Sequence, residues 1–138
     1  TGPLSDDELL SIRIPALVMA GTDDVTTPID PNVTRPWNQS ASSPSYRVDL
    51  TAAEHETFTD LCAYQAFLPT LSNALPIVID TINERAEAGC GPESMSIERA
   101  QAITNTFAVA FLDETFKGSE MIKIDEVDEQ TDLVFQAE

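Results

Sequence analysis

The sequence predicts an α/β fold in which two parallel strands are joined by a helical crossover. Three observations predict it. Residues 16–20 are wholly apolar and end at Gly21, and a strand without polar alternation is one covered on both faces, as parallel strands are. A second extended run, Tyr46-Arg47-Val48-Asp49-Leu50, follows a helical stretch and the polar loop Ser42-Ser43-Pro44. The second half then carries apolar residues at helical spacing. The 138 residues are one domain's length, and 42% hydrophobic residues suffice for a core.

Taken in order, Ser5-Asp6-Asp7-Glu8 has the Ser-x-x-Glu spacing of a capping box ahead of Leu9 and Leu10, which predicts a short helix there. Pro15 stands at the start of the first strand, where a missing donor is tolerated. Gly21-Thr22-Asp23-Asp24-Val25-Thr26-Thr27-Pro28 reads as turn and loop, and a modest helix is expected over residues 31–40. Residues 51–56 form the loop after the second strand. Strand, crossover, strand is a βαβ unit, so the pair should be parallel with a right-handed connection. The loops after both strands then open on the carboxyl edge of the sheet, where ligands bind in open α/β folds.

In the second half, Leu71, Leu75, Val78, Ile79, Ile82 and Ala86 share one helical face, and the stretch stops at Gly89. Pro69 and Pro76 divide this region. Ser96 is placed to cap a long helix ending near Lys117-Gly118, with Glu98 in its first turn and Ala100, Ile103, Phe107 and Phe111 as its apolar stripe. The organisation predicted is a folded part over residues 1–118 and a loosely attached acidic tail over residues 119–138, with an edge segment at Leu133-Val134-Phe135.

Charge narrows the partners. Seven Lys and Arg against 24 Asp and Glu leave −17 at pH 7. Nucleic acid and anionic membrane surfaces reward cationic patches, so neither is expected as a partner. No apolar run approaches the roughly 18 residues of a membrane span, and no basic region followed by an apolar stretch opens the chain, so no leader is expected within it. The acidity reads as a solvated surface or as salt adaptation. No acidic pair, Asp23-Asp24 and Asp125-Glu126 included, has the alternating ligands and Gly of a calcium loop, so no metal site and no cofactor is expected. Cys62 and Cys90 are too few for a framework. Bridged, they would close a loop of about 29 residues, contribute roughly 3–4 kcal/mol and imply an oxidising compartment; unbridged, they are two buried thiols. Asn32-Val33-Thr34 and Asn38-Gln39-Ser40 fit the N-glycosylation pattern, which is frequent by chance.

Two strands pose a physical problem. A two-stranded sheet cannot cover a strand that is apolar on both faces. Residues 16–20 therefore expect neighbours: either the chain holds further strands, or, the reading favoured here, it is part of a larger fold.

The chemistry sits on the predicted carboxyl edge. Asp24 follows the first strand and His55, the only histidine, follows the second. An acid and a His on one edge are two members of a Ser–His–acid triad, in the chain order nucleophile, acid, His of α/β-hydrolases. Imidazole suits the task because its unperturbed pKa of about 6.5 lets it accept and return a proton near neutrality. The run Ile14-Pro15-Ala16-Leu17-Val18-Met19-Ala20-Gly21-Thr22-Asp23-Asp24, then Pro28, resembles the P-x-L-hydrophobic-hydrophobic-x-G-x-x-D-x-x-x-P segment of that superfamily. Ala53-Glu54-His55-Glu56-Thr57-Phe58-Thr59-Asp60-Leu61-Cys62 resembles the histidine segment of bacterial dienelactone hydrolase-like esterases, relatives of the platelet-activating-factor acetylhydrolase, chlorophyllase and polyester hydrolase groups. Cys90-Gly91-Pro92 and the helix from Arg99 to Phe111 are similar to that family's closing portion, so the likeness covers roughly residues 10–117.

The resemblance implies the C-terminal part of an α/β-hydrolase fold: the last parallel strands of a doubly wound sheet with flanking helices, completed by a second chain or segment. It implies Asp24 as the acid, with Asp23 the fallback, and His55 as the base. Ala53 stands where the family has Gly two residues before the His. Alone, an Asp in such a turn is ordinarily a turn residue and a loop His a surface residue; their order and spacing together carry the reading. No Gly-x-Ser-x-Gly elbow occurs, since Ser119 has Lys117, and Cys90 has Ala88 and Pro92, where the motif needs Gly. The serine and the oxyanion-hole donors are therefore expected from an N-terminal half of the same hydrolase. Thr1 as an N-terminal nucleophile has nothing to position it. The expected protein is the acid-and-base-bearing half of a secreted or periplasmic serine carboxylic ester hydrolase, acting on an ester substrate. Its rivals are a non-catalytic binding module on that scaffold and a self-contained acidic interaction domain. Trp37, in the crossover, is a candidate substrate wall or plain packing.

Overall fold

The computed structural model of the chain describes residues 4–87, 89–118 and 132–138. Helix α1 (Asp6–Ser11) starts at the predicted capping box, with the Ser5 hydroxyl accepting from the Glu8 N–H and the Glu8 carboxylate accepting from the Ser5 N–H at 2.8 Å. Strand β1 (Ala16–Gly21) pairs in parallel with β2 (Ser45–Leu50), from Ala16 opposite Ser45 to Gly21 opposite Leu50. The crossover is less regular than a single helix over residues 31–40. A wide turn at Asp30–Thr34 runs into the short α2 (Arg35–Gln39), because Pro31 and Pro36 supply no donors to a regular ladder.

A third strand forms where the edge segment was expected. Strand β3 (Leu133–Ala137) runs antiparallel to β2, with Phe135 opposite Val48, which gives the order β1-β2-β3 and makes β2 central. The expected edge segment at Leu133-Val134-Phe135 is thus sheet, extended to Ala137. Ser45 and Glu138 exchange backbone bonds of 2.9 Å, and Arg99 holds Asp132 at 2.7 Å. The Arg99 guanidinium keeps the Asp132 carboxyl below the usual carboxylate range, against the opposing effect of burial. The remainder of the expected tail, residues 119–131, lies outside the described residues, as does Thr1.

The helical half follows its punctuation. Helix α3 (Leu61–Phe67) gives way to a 3₁₀ turn at Leu68–Thr70 containing Pro69, and Pro76 opens α4 (Pro76–Ala86) at a position that has no intrahelical donor to lose. Helix α5 (Ile97–Lys117) begins with the Ser96 hydroxyl accepting from the Arg99 N–H at 3.3 Å and ends at Gly118, whose φ of 69° is left-handed. One sheet face carries Val48, Leu50, Leu17, Met19, Leu133 and Phe135 and packs on Ala100, Ile103 and Phe107 of α5. The Phe135 ring stacks between Tyr46 and Phe107 at centroid distances of 6.1 and 5.7 Å. The Tyr46 hydroxyl donates to Glu114 at 2.6 Å, and burial together with that carboxylate pushes Tyr46 up to about 12. Strand alternation turns Arg47 and Asp49 to the opposite face, where they form a two-pronged ion pair at 2.9 and 2.7 Å.

Two apolar faces are left uncovered by the described residues. Ala16 to Met19 of β1 are only half-buried, and no described strand pairs with the outer edge of β1. The predicted α4 stripe is buried only at Ala86; Leu71, Leu75 and Val78 are exposed. Both surfaces are apolar enough to be interior, and the described residues do not cover them. Trp37, by contrast, is 5% exposed and belongs to the core with Leu9 of α1, so it is packing rather than a substrate wall.

Cys62 and Cys90 are bridged, with Cα atoms 5.5 Å apart, which decides between the two readings of the cysteines. The bond ties the start of α3 to the loop after α4. No helix among the described residues is long and apolar enough to cross a membrane. Replacing both cysteines, as Cys62→Ser/Cys90→Ser, should lower the unfolding free energy by about 3–4 kcal/mol. Urea denaturation reads this directly, and an unchanged midpoint would show that α3 and α4 hold without the bridge.

Candidate active site

The parallel register brings Gly21 level with Leu50, so the loops that follow β1 and β2 leave the sheet side by side. They are laced together. Thr22 N–H donates to the Leu50 carbonyl and Asp23 N–H to the Ala53 carbonyl, both at 3.0 Å. The Thr22 hydroxyl accepts from the Ala52 N–H at 2.9 Å and donates to the Asp23 carboxylate at 2.8 Å. Glycine is required at position 21 because a Cβ there would lie 2.2 Å from the Ala53 carbonyl oxygen. Ala52 adopts a left-handed φ of 56°, a conformation costing a non-glycine residue roughly 1–2 kcal/mol, and Thr22 and Met95 hold it from either side.

His55 opens a 3₁₀ turn (His55–Phe58) that follows the loop and is fastened from behind. Glu54 N–H donates to the hydroxyl of the fully buried Thr57 at 2.9 Å, and Ser94 donates to the Glu54 carboxylate at 2.9 Å. Met95 N–H donates to the Ala52 carbonyl at 2.8 Å. Gly89, at a φ of 128°, passes so close that a Cβ would stand 3.1 Å from Glu56 Cβ. The Cys62–Cys90 bridge holds this strap against the His55 turn.

His55 Nδ1 lies 3.0 Å from Asp24 Oδ2. The carboxylate is almost buried and the imidazole 42% exposed. Asp24 Oδ1 accepts from the N–H groups of Thr26 and Thr27 at 2.8 and 2.7 Å, and the Thr27 hydroxyl donates to Oδ2. Burial pushes the Asp24 carboxyl up, but the Thr27 hydroxyl, the Thr27 N–H and His55 outweigh it and leave it below the usual range. An ionised Asp24 requires a proton on Nδ1, which leaves Nε2 as the ring atom able to accept one. Asp23 is exposed and turned to Thr22, so of the two aspartates it is Asp24 that faces His55.

A cavity of about 220 Å³ adjoins the pair, lined by Met19, Val33 and Phe58 beside Asp24, Thr27 and His55. Among the described residues no group of three or more His, Cys, Asp or Glu side chains is arranged to hold a metal ion. Sequence reasoning missed Thr22 and Thr27. The signal for Thr27 was present as Asp24-x-x-Thr27, a spacing at which an acid and a hydroxyl share one turn. No family model matches the chain, and no curated protein and no solved structure matches it.

Two outcomes test the site. Gly21→Ala should force the loops apart and destabilise the protein by roughly 1–3 kcal/mol, visible in thermal unfolding together with loss of the His55–Asp24 contact by NMR. Because the folded Asp24 carboxyl is held low, its stabilisation is complete above about pH 4 and is lost as pH falls through the lower folded value. Asp24→Ala should therefore flatten the acid limb of stability measured by urea unfolding at successive pH values. An acid limb as steep as that of the unsubstituted chain would count against this account.

Proposed function

We propose that the chain is the acid-and-base-bearing part of a secreted serine carboxylic ester hydrolase, built on the last parallel strands of an α/β-hydrolase sheet. The observation that carries the reading is the Asp24–His55 pair across the carboxyl ends of two adjacent parallel strands. It is supported by the half-buried, apolar β1, whose outer edge is free among the described strands to take another parallel strand. The disulfide fits an oxidising compartment.

In this reading the nucleophilic serine and the oxyanion-hole donors come from a partner segment. His55 Nε2 takes the serine proton as the hydroxyl attacks the ester carbonyl, and Asp24 holds the ring and stabilises the imidazolium. The proton then passes to the departing alcohol, leaving an acyl-enzyme. Water, deprotonated by the same nitrogen, attacks the acyl carbonyl, and the nitrogen returns that proton to the serine oxygen as the acid leaves. The exposure of the imidazole agrees with a site whose opposite wall is supplied from elsewhere.

A second reading has its own observation: the absence of a nucleophile elbow from all 138 residues favours a binding module that keeps the scaffold without the chemistry. A fluorophosphonate probe separates the two. The hydrolase reading expects labelling of a serine on a co-purifying chain, with ester hydrolysis falling about 10⁴-fold or more on His55→Ala. If no chain is labelled and the folded protein with its partners hydrolyses no ester, the hydrolase reading is lost and the binding module stands.

A further inference from the structure

One hydroxyl touches both members of the pair. Thr27 Oγ1 donates to Asp24 Oδ2, the same oxygen that faces His55 Nδ1, and lies 3.3 Å from that nitrogen. We propose that Thr27 is a positioning residue of the dyad, fastening the second carboxylate oxygen so that it meets the imidazole as an ionised, single-conformer acceptor. This deepens the hydrolase reading and rests on it for its catalytic meaning.

The hydrogen bonds leave little freedom. The two backbone N–H groups occupy only Oδ1: they favour the ionised carboxylate and set its position, but leave Oδ2 to Thr27 and His55. With its hydroxyl proton directed to Asp24, Thr27 offers His55 only lone pairs, which an Nδ1–H can share as a weaker second acceptor and an unprotonated Nδ1 cannot use. Thr27 thus favours the same arrangement twice, by stabilising the carboxylate and by accepting from the ring. A carboxyl protonated at Oδ2 would instead compete with both neighbours for the space between them.

The surroundings isolate the effect. His55 is the one titratable side chain within hydrogen-bond distance of Asp24 among the described residues; Asp23 turns its carboxylate to Thr22, and Phe58 and Thr59 in the adjoining cavity carry no charge. Removing the hydroxyl therefore changes one set of contacts without relocating a charge.

The test is the titration of the Asp24 carboxyl carbon by NMR in the 138-residue chain, in which His55 is also the single imidazole. Thr27→Val should raise the protonation constant of Asp24 about three- to tenfold, since a lost hydrogen bond to the charged form raises a carboxyl pKa. Thr27→Ser should restore it. A merely structural role would lower the melting temperature and leave the midpoint in place. If Thr27→Val folds and Asp24 titrates unchanged, the inference is overturned; if Thr27→Val does not fold, Thr27→Ala against Thr27→Ser decides by the same midpoint. The measurement needs neither serine nor ester, so it fails or succeeds separately from the fluorophosphonate experiment. An Asp24 that titrates like an exposed carboxyl in the unsubstituted chain overturns the inference whatever the esterase result.

Discussion

The parallel register of β1 against β2 is the constraint from which the rest of the site follows. It sets Gly21 opposite Leu50, and from that point both chains must leave the sheet in the same direction. At Gly21 the missing side chain lets the second loop come within bonding distance of the first, and Thr22 and Asp23 complete the lacing. Only after this contact is made do Asp24 and His55, distant in sequence, fall within 3.0 Å. A shift of one residue in the strand pairing would exchange the faces of the sheet and move both groups apart.

Behind the two loops the structure spends its covalent and polar reinforcement on the His55 side. The disulfide, the Ser94–Glu54 bond and the close passage of Gly89 all press on one short turn. The Asp24 side is held by its own turn, through bonds within four residues. A local device thus fixes the acid and a long-range one fixes the base. A loop that must order an exposed ring needs more external support than a nearly buried carboxylate saturated by neighbouring donors.

The apolar surfaces left open are also consistent with one another. Among the described residues β1 keeps an unpaired edge, and the hairpin of α3 and α4 exposes Tyr64, Phe67, Leu75 and Ile77 in a chain whose net charge is −17. Residues 61–79 contain no charged side chain at all. Acidic groups elsewhere keep the protein hydrated while these patches remain free of them. Isolated exposed apolar residues need no explanation, whereas here they cluster on a charge-free run spanning two adjoining elements.

Much of this was legible in the residues themselves because the signals were local. The capping box at Ser5 and the cap at Ser96, the stop at Gly118, the two parallel strands and the order of Asp24 and His55 all follow from periodicity, punctuation and spacing. What the tertiary structure decided depended on distance through space. It paired the cysteines, set Asp24 and not Asp23 against His55, buried Trp37 and brought in Thr27. It also set the expected edge segment antiparallel against β2 and gave Phe135 ring partners on Tyr46 and Phe107 that no local pattern announces. The α4 stripe shows the converse: amphipathic spacing states which face of a helix is apolar, while burial of that face needs a second surface, and sequence periodicity carries no information about whether one is present.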